Sequence, residues 1–84
     1  MKEKLISMVG NKLDDLNLFI DNVNLVNSNN EKVLEVVLDR KEDFIDLKTI
    51  VKATRILNPI VDEMKLDIDS LDVYAKEKGG NYEQ

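Results

Sequence analysis

The segment from residue 32 to residue 39, Lys-Val-Leu-Glu-Val-Val-Leu-Asp, constrains the fold of this chain more than any other segment. Its β-branched residues and its alternating pattern predict a β-strand. One face of that strand is formed by Leu34, Val36 and Leu38, and the other by Val33, Glu35, Val37 and Asp39. Because an apolar strand face has to be covered by another layer, the rest of the chain is expected to supply further strands and a covering layer of helices.

A second strand is predicted just before it, over residues 18–27. In a regular strand, the apolar residues before Asp21 would face one side of the sheet and those after it would face the other side. This predicts either a β-bulge near Asp21 or a strand that begins after Leu18. Residues 27–30, Asn-Ser-Asn-Asn, have the composition of a turn. The two strands are therefore expected to form an antiparallel hairpin.

Two segments show the helical period. Residues 2–16 predict a helix that ends at Asn17, with Gly10 in its interior costing about 1 kcal/mol relative to alanine. Asp46 is a favourable N-cap for a second helix. Pro59 lies inside that helix and indicates either a kink or the start of a new helix. The apolar positions of the second helix are Leu47, Ile50, Ala53, Thr54, Leu57, Ile60, Val61 and Met64.

Leu71, Val73 and Ala75 alternate with polar residues and predict a third strand. The element order is then α-β-β-α-β. Because a helix returns the chain between the second and third strands, these two strands are expected to be parallel. The predicted fold class is α+β, a three-stranded sheet with two helices packed on one face, although the strand order stays open. We expect one domain over residues 1–76 and a flexible tail over residues 77–84.

Composition narrows the class of function. The 84 residues allow one domain, and there is neither cysteine nor histidine. Disulfides, thiolate zinc sites, thiol nucleophiles and side chains with an unperturbed pKa near neutrality are thereby excluded. The sequence also has no glycine-rich phosphate loop at the start of a helix. We expect a binding protein that is not an enzyme and needs no cofactor.

The predicted location is the cytoplasm. The N-terminal residues lack the pattern of a signal peptide, and no apolar run is long enough to span a bilayer, so no membrane partner is expected. The net charge of −5 disfavours non-specific binding to nucleic acid, although a local basic patch can override the average.

Over roughly residues 5–75 the chain resembles the N-terminal domain of the ribosome maturation factor RimP family. Residues 16–23 are similar to the segment that leads into the first strand of the family. Residues 33–39 are similar to its second strand, which ends in an acidic residue. Residues 45–47, 53–57 and 61–62 are similar to its second helix. The third strand of the family usually runs into Ser-Ser-Pro-Gly and a second, β-barrel domain, whereas residues 73–77 here read Val-Tyr-Ala-Lys-Glu.

The resemblance implies the same element order and a role in ribosome biogenesis. In that role the domain takes part in maturation of the small ribosomal subunit. The implied partners are a ribosomal protein, small-subunit rRNA or both.

One basic stripe is a candidate binding site. Lys48, Lys52 and Arg55 are spaced i, i+4 and i+7, which puts them on one side of the second helix, away from its apolar side. Arg40 and Lys41 lie nearby in the sequence. The stripe is suited to phosphates or to an acidic partner. The alternative is a solvated helix face, and the resemblance adds weight at Arg55 alone.

The far face of the sheet is the second candidate. If both helices lie on one side, Val33 and Val37 form an apolar strip on the other, and such strips often mark interfaces. A homodimer or a companion domain would cover the strip. The alternative is a surface of scattered, half-exposed valines. The second functional hypothesis is therefore a stand-alone protein-interaction or homodimerisation module with no link to ribosomes.

Acidic residues cluster near the predicted third strand, at Asp62, Glu63, Asp67, Asp69 and Asp72. The Asp-x-Asp spacing at 67–69 is found in calcium loops. However, the loop glycine and the bidentate glutamate at loop position twelve are both absent. Helix ends and turn caps explain these acids better, so no metal site is predicted.

Overall fold

The structure is a computed structural model that describes residues 1–77. It confirms the predicted α+β class and the order α-β-β-α-β. The predicted flexible tail covers residues 77–84, of which residues 78–84 lie outside the described residues. The elements are α1 Lys2–Val9, a short 3₁₀ helix Asp14–Leu16, β1 Phe19–Ser28, β2 Glu31–Asp39, α2 Leu47–Met64 and β3 Ser70–Ala75.

The three strands form one sheet in the order β1-β2-β3. β2 is central and pairs antiparallel with β1 and parallel with β3, which confirms the hairpin and the parallel pair. The hairpin turn is formed by Asn29 and Asn30, whose φ angles are 52° and 64°. Asparagine tolerates this left-handed conformation, and two such residues make the tight turn that matches the twist of paired strands.

A β-bulge at Asp21 explains the change of phase in β1. Ile20 lies opposite Leu38 and Asn22 lies opposite Val37, so Asp21 is the extra residue. Of the two predicted alternatives the bulge is therefore confirmed, and the strand also begins after Leu18, at Phe19. The effect of the bulge is to put Ile20 and Val23 on the same side of the sheet despite their odd spacing.

The core lies between the two helices and one face of the sheet. Leu34, Val36 and Leu38 are fully buried there, as their alternation predicted. The remaining buried members of this cluster are Leu5, Val9, Leu13, Leu18, Ile20, Ala53, Leu57, Ile60 and Val61. The core is thus almost entirely aliphatic.

The first helix is shorter than predicted. It ends at Val9 because Gly10 adopts a φ of 56° and a ψ of −125°, a positive-φ conformation that glycine reaches at little cost. The chain then turns, and Leu13 still reaches the core. Asn17, with φ 58° and ψ 41°, ends the following 3₁₀ helix in the left-handed conformation expected of it.

α2 is one helix that runs through Pro59. Of the two alternatives at Pro59, a kink or a new helix, the structure therefore excludes the new helix. Asp46 caps the start, because its Oδ1 accepts a hydrogen bond from the Thr49 N–H at 2.9 Å. Pro59 has no N–H to donate to the carbonyl of Arg55 one turn earlier. The helix tolerates that loss and ends at Met64, where the following residue Lys65 caps it with a left-handed φ of 53°.

Candidate functional site

Five exposed residues occupy one side of the N-terminal half of α2. At about 100° of rotation per residue they fall within an arc of about 140°, opposite the buried positions of the helix. The set is Leu47, Lys48, Val51, Lys52 and Arg55, and it is called here the α2 outer face. The three cations thus share one side of the helix, as the sequence predicted.

The α2 outer face includes two aliphatic residues that the sequence reasoning did not recognise as part of a site. Leu47 was expected in the apolar stripe that packs on the sheet, yet its side chain is 77% exposed. Val51, one turn later, is also exposed, and so is Phe44 just before the helix, at 74%. The signal was present in the sequence, because the Leu47–Val51 and Lys48–Lys52 pairs share the i, i+4 spacing.

The charges of α2 run against its macrodipole. A helix favours acids near its N-terminus and bases near its C-terminus. Here the first turn contains Lys48 and no acidic residue, and the last turn contains acids and no base. Within residues 1–77, Lys48, Lys52 and Arg55 form no ion pair. Lys48 is therefore placed where it does not stabilise the helix, and the charge of all three cations is available to a partner.

Asp46 moderates the positive charge at the start of α2. Hydrogen bonds with Thr49 hold the pKa of the Asp46 carboxyl below its ordinary value of 3.8, and the charges of Arg40 and Lys48 lower it further. Asp46 is therefore ionised at neutral pH, and the net positive charge of the α2 outer face lies mainly with Lys52 and Arg55.

Arg40 is bonded to the protein's own backbone. Its guanidinium donates hydrogen bonds to two backbone carbonyls, from Nη2 to Leu16 O at 2.7 Å and from Nη1 to Phe44 O at 3.4 Å. These bonds tie the end of the 3₁₀ helix to the loop that leads into α2. Arg40 thus braces the fold, and its role as a binding residue stays a prediction, while Lys41 is exposed in that loop.

The predicted apolar strip on the far face of the sheet is not formed by Val33. Its side chain is only 9% exposed, although it does not belong to the core cluster beneath the helices. Val26 and Ser70 lie directly opposite it on the two adjoining strands. Cross-strand neighbours shield a central-strand residue even without a covering helix. Val37 is half-buried, so Val33 and Val37 together expose little apolar surface.

Carboxylates dominate the same far face near Val37. The Tyr74 hydroxyl lies 3.3 Å from Asp72 Oδ2, and the charges of Asp72 and Glu35 raise the pKa of Tyr74. Two copies stacked face to face would bring these like charges together. The charge distribution therefore opposes a homodimer through the sheet face.

Two members of the acidic cluster hold β2 to the segment that enters β3. Lys32 Nζ lies 2.5 Å from Asp67 Oδ2, and the Lys32 N–H donates to Asp69 Oδ2 at 2.8 Å. The hydrogen bond and charge of Lys32 lower the pKa of Asp67. Across residues 1–77 no three acidic side chains converge closely enough to hold a metal ion.

The fold and the α2 outer face define the chain as a small α+β domain with an exposed basic and aliphatic helix surface. No protein-family model matches the sequence, and no curated protein matches it. The resemblance to the RimP family accordingly stays a prediction. None of the helices in the described part of the chain is long and apolar enough to cross a membrane.

Proposed function

We propose that this protein is a non-enzymatic binding domain that docks on the maturing small ribosomal subunit through the α2 outer face. The observation that carries the docking surface is the exposure of Leu47 and Val51 beside three cations that have no ion-pair partner within residues 1–77. The ribosomal partner follows from the resemblance of the sequence alone. The role is a cytoplasmic one.

The mixed chemistry of the α2 outer face favours a mixed contact. Aliphatic side chains gain free energy when a protein surface removes them from water, but they gain little from phosphate. Lysine and arginine suit phosphate oxygens and carboxylates. A site where a ribosomal protein lies beside rRNA supplies both kinds of contact.

Sedimentation with purified small subunits tests the proposal. The double substitution Lys52→Glu with Arg55→Glu is expected to weaken association by about tenfold or more, because it places like charge against the partner. Leu47→Ser is expected to weaken it as well, with no change of charge. Because Leu47→Ser leaves the charge unchanged, weaker binding of this variant would indicate a specific docking surface and not general electrostatic attraction.

The matched control is Lys2→Glu with Lys4→Glu on α1, where both lysines are exposed. It changes the net charge by the same amount away from the α2 outer face, so it should bind like the wild type. If the double variant on α2 sediments with subunits as well as the wild type does, the α2 outer face is not the contact. If the wild-type protein does not sediment with subunits, the ribosomal role is wrong.

A further inference from the structure

β1 is an edge strand whose outer side is open. Within residues 1–77 no strand pairs with it on the side away from β2. Ten residues long, it is longer than β3, and apart from the bulge at Asp21 its pairing with β2 is regular. Natural edge strands usually discourage pairing with lysine, proline or a bulge in the exposed stretch. Residues 22–28, Asn-Val-Asn-Leu-Val-Asn-Ser, contain none of these.

The backbone groups that point outward from β1 can be identified from the neighbouring ladder. The carbonyls of Lys32 and Leu38 accept hydrogen bonds from Asp69 and Lys76, so even-numbered residues of β2 direct their backbone groups toward β3. Odd-numbered residues of β2 therefore bond to β1. Their partners on β1 are Asn22, Asn24 and Val26.

Val23, Leu25 and Asn27 consequently direct their N–H and C=O groups to the open edge. Within residues 1–77 none of these three residues makes a backbone hydrogen bond outside the strand pairing. Leu25 is also 58% exposed, although its partner Leu34 is fully buried. Beside Leu25 lies a hollow of about 340 Å³ that is lined in part by Met1, Leu66 and Ile68.

The charge pattern indicates what covers this edge. The chain has 35% charged residues and a net charge of −5, so two copies repel each other on average. Residues 22–28 are uncharged, and they can meet the same stretch of another copy without like charges in register. An antiparallel pairing also satisfies two-fold symmetry, in which one patch contacts itself.

We propose that β1 pairs edge to edge with β1 of a second copy, antiparallel, with Leu25 opposite Leu25. The pairing makes a continuous six-stranded sheet. The outward N–H and C=O groups of Val23, Leu25 and Asn27 form the new ladder. The exposed Leu25 side chains of the two copies cover each other at the symmetry axis. This surface is separate from the α2 outer face, so the dimer leaves that face open.

Sedimentation equilibrium from low micromolar to millimolar concentration tests the dimer. The wild-type mass should rise toward that of a dimer with concentration. Leu25→Lys puts two like charges at the symmetry axis and is expected to raise the dissociation constant by about tenfold or more. Ile6→Lys, on α1 and 41% exposed, adds the same charge elsewhere and should dimerise like the wild type. A wild-type chain that stays monomeric overturns the proposal and leaves the edge to a strand of another protein.

Amide hydrogen exchange identifies the edge independently of any substitution. At high concentration the amides of Val23, Leu25 and Asn27 should exchange slowly, and dilution should remove that protection. The amide of Asn24, which bonds to β2, should stay protected at both concentrations. A dimer in which the three outward amides exchange rapidly uses another surface and overturns the proposal.

Discussion

The two halves of α2 differ in what they do with similar residues. The N-terminal half exposes Leu47 and Val51 and carries three cations. The C-terminal half buries Leu57, Ile60 and Val61, and its outward side carries Asp62 and Glu63. Both halves contact the core, the N-terminal half through Ala53, but only the N-terminal half also exposes aliphatic side chains to a partner. Leucine spacing alone does not separate them, because both halves show the helical period.

The largest expected difference between the halves is in stability. Leu57→Ala should lower the free energy of unfolding by about 2–5 kcal/mol, because it leaves a cavity at a fully buried position. Leu47→Ala, the same substitution at an exposed position, should change it by less than about 0.5 kcal/mol. Urea unfolding followed by circular dichroism measures both. Equal losses would mean that Leu47 packs against the protein and that the two halves do not differ.

Pro59 gives a second, smaller test within the C-terminal half. Proline in a helix interior costs roughly 3 kcal/mol relative to alanine. Proline also restricts the unfolded chain, which favours the folded state and offsets part of that cost. Pro59→Ala is therefore expected to raise the free energy of unfolding by about 2 kcal/mol in the same urea experiment. Asn58→Ala, at the neighbouring exposed position, should change it by less than about 1 kcal/mol. A destabilising Pro59→Ala would show that the proline makes a contact the fold requires.

The smallest expected effect concerns the pH dependence of the cap on the N-terminal half. The folded pKa of Asp46 is lowered, so its charged form stabilises the fold fully above its ordinary value of 3.8. That contribution is lost as the pH falls below this value through the lowered pKa. Asp46→Asn keeps a capping oxygen but does not titrate. The difference in melting temperature between wild type and variant should therefore change from neutral pH to below about pH 3.

The effects of the other acidic residues on the melting temperature cancel in that comparison, because both proteins contain these residues. A difference that stays constant across the pH range would mean that Asp46 does not act through its charge. Asp46→Ala, which removes the capping oxygen, should melt at a lower temperature than either protein at neutral pH.

Much of the fold follows from local patterns in the sequence. The alternation in 32–39 predicted which side of β2 is buried, and the phase change at Asp21 predicted the bulge. Such features depend on neighbours a few residues apart, so the sequence contains the relevant physics. The end of α1 at Val9 was missed, because the helical period continued beyond Gly10 and the reversal there depends on the chain turning back to β1.

The candidate site was predictable in part. The shared helix side of Lys48, Lys52 and Arg55 follows from the 3.6-residue period alone. The engagement of Arg40 by the carbonyl of Leu16 was not predictable, since 24 residues separate the two in sequence.

The sequence by itself determined the element order, the hairpin, the cap at Asp46 and the side of α2 on which its cations lie. Only the tertiary structure decided that Leu47 and Leu25 are exposed and that Val33 is shielded. Burial depends on which elements lie across from a residue. Those neighbours are brought together by the packing of distant segments, which no local pattern records.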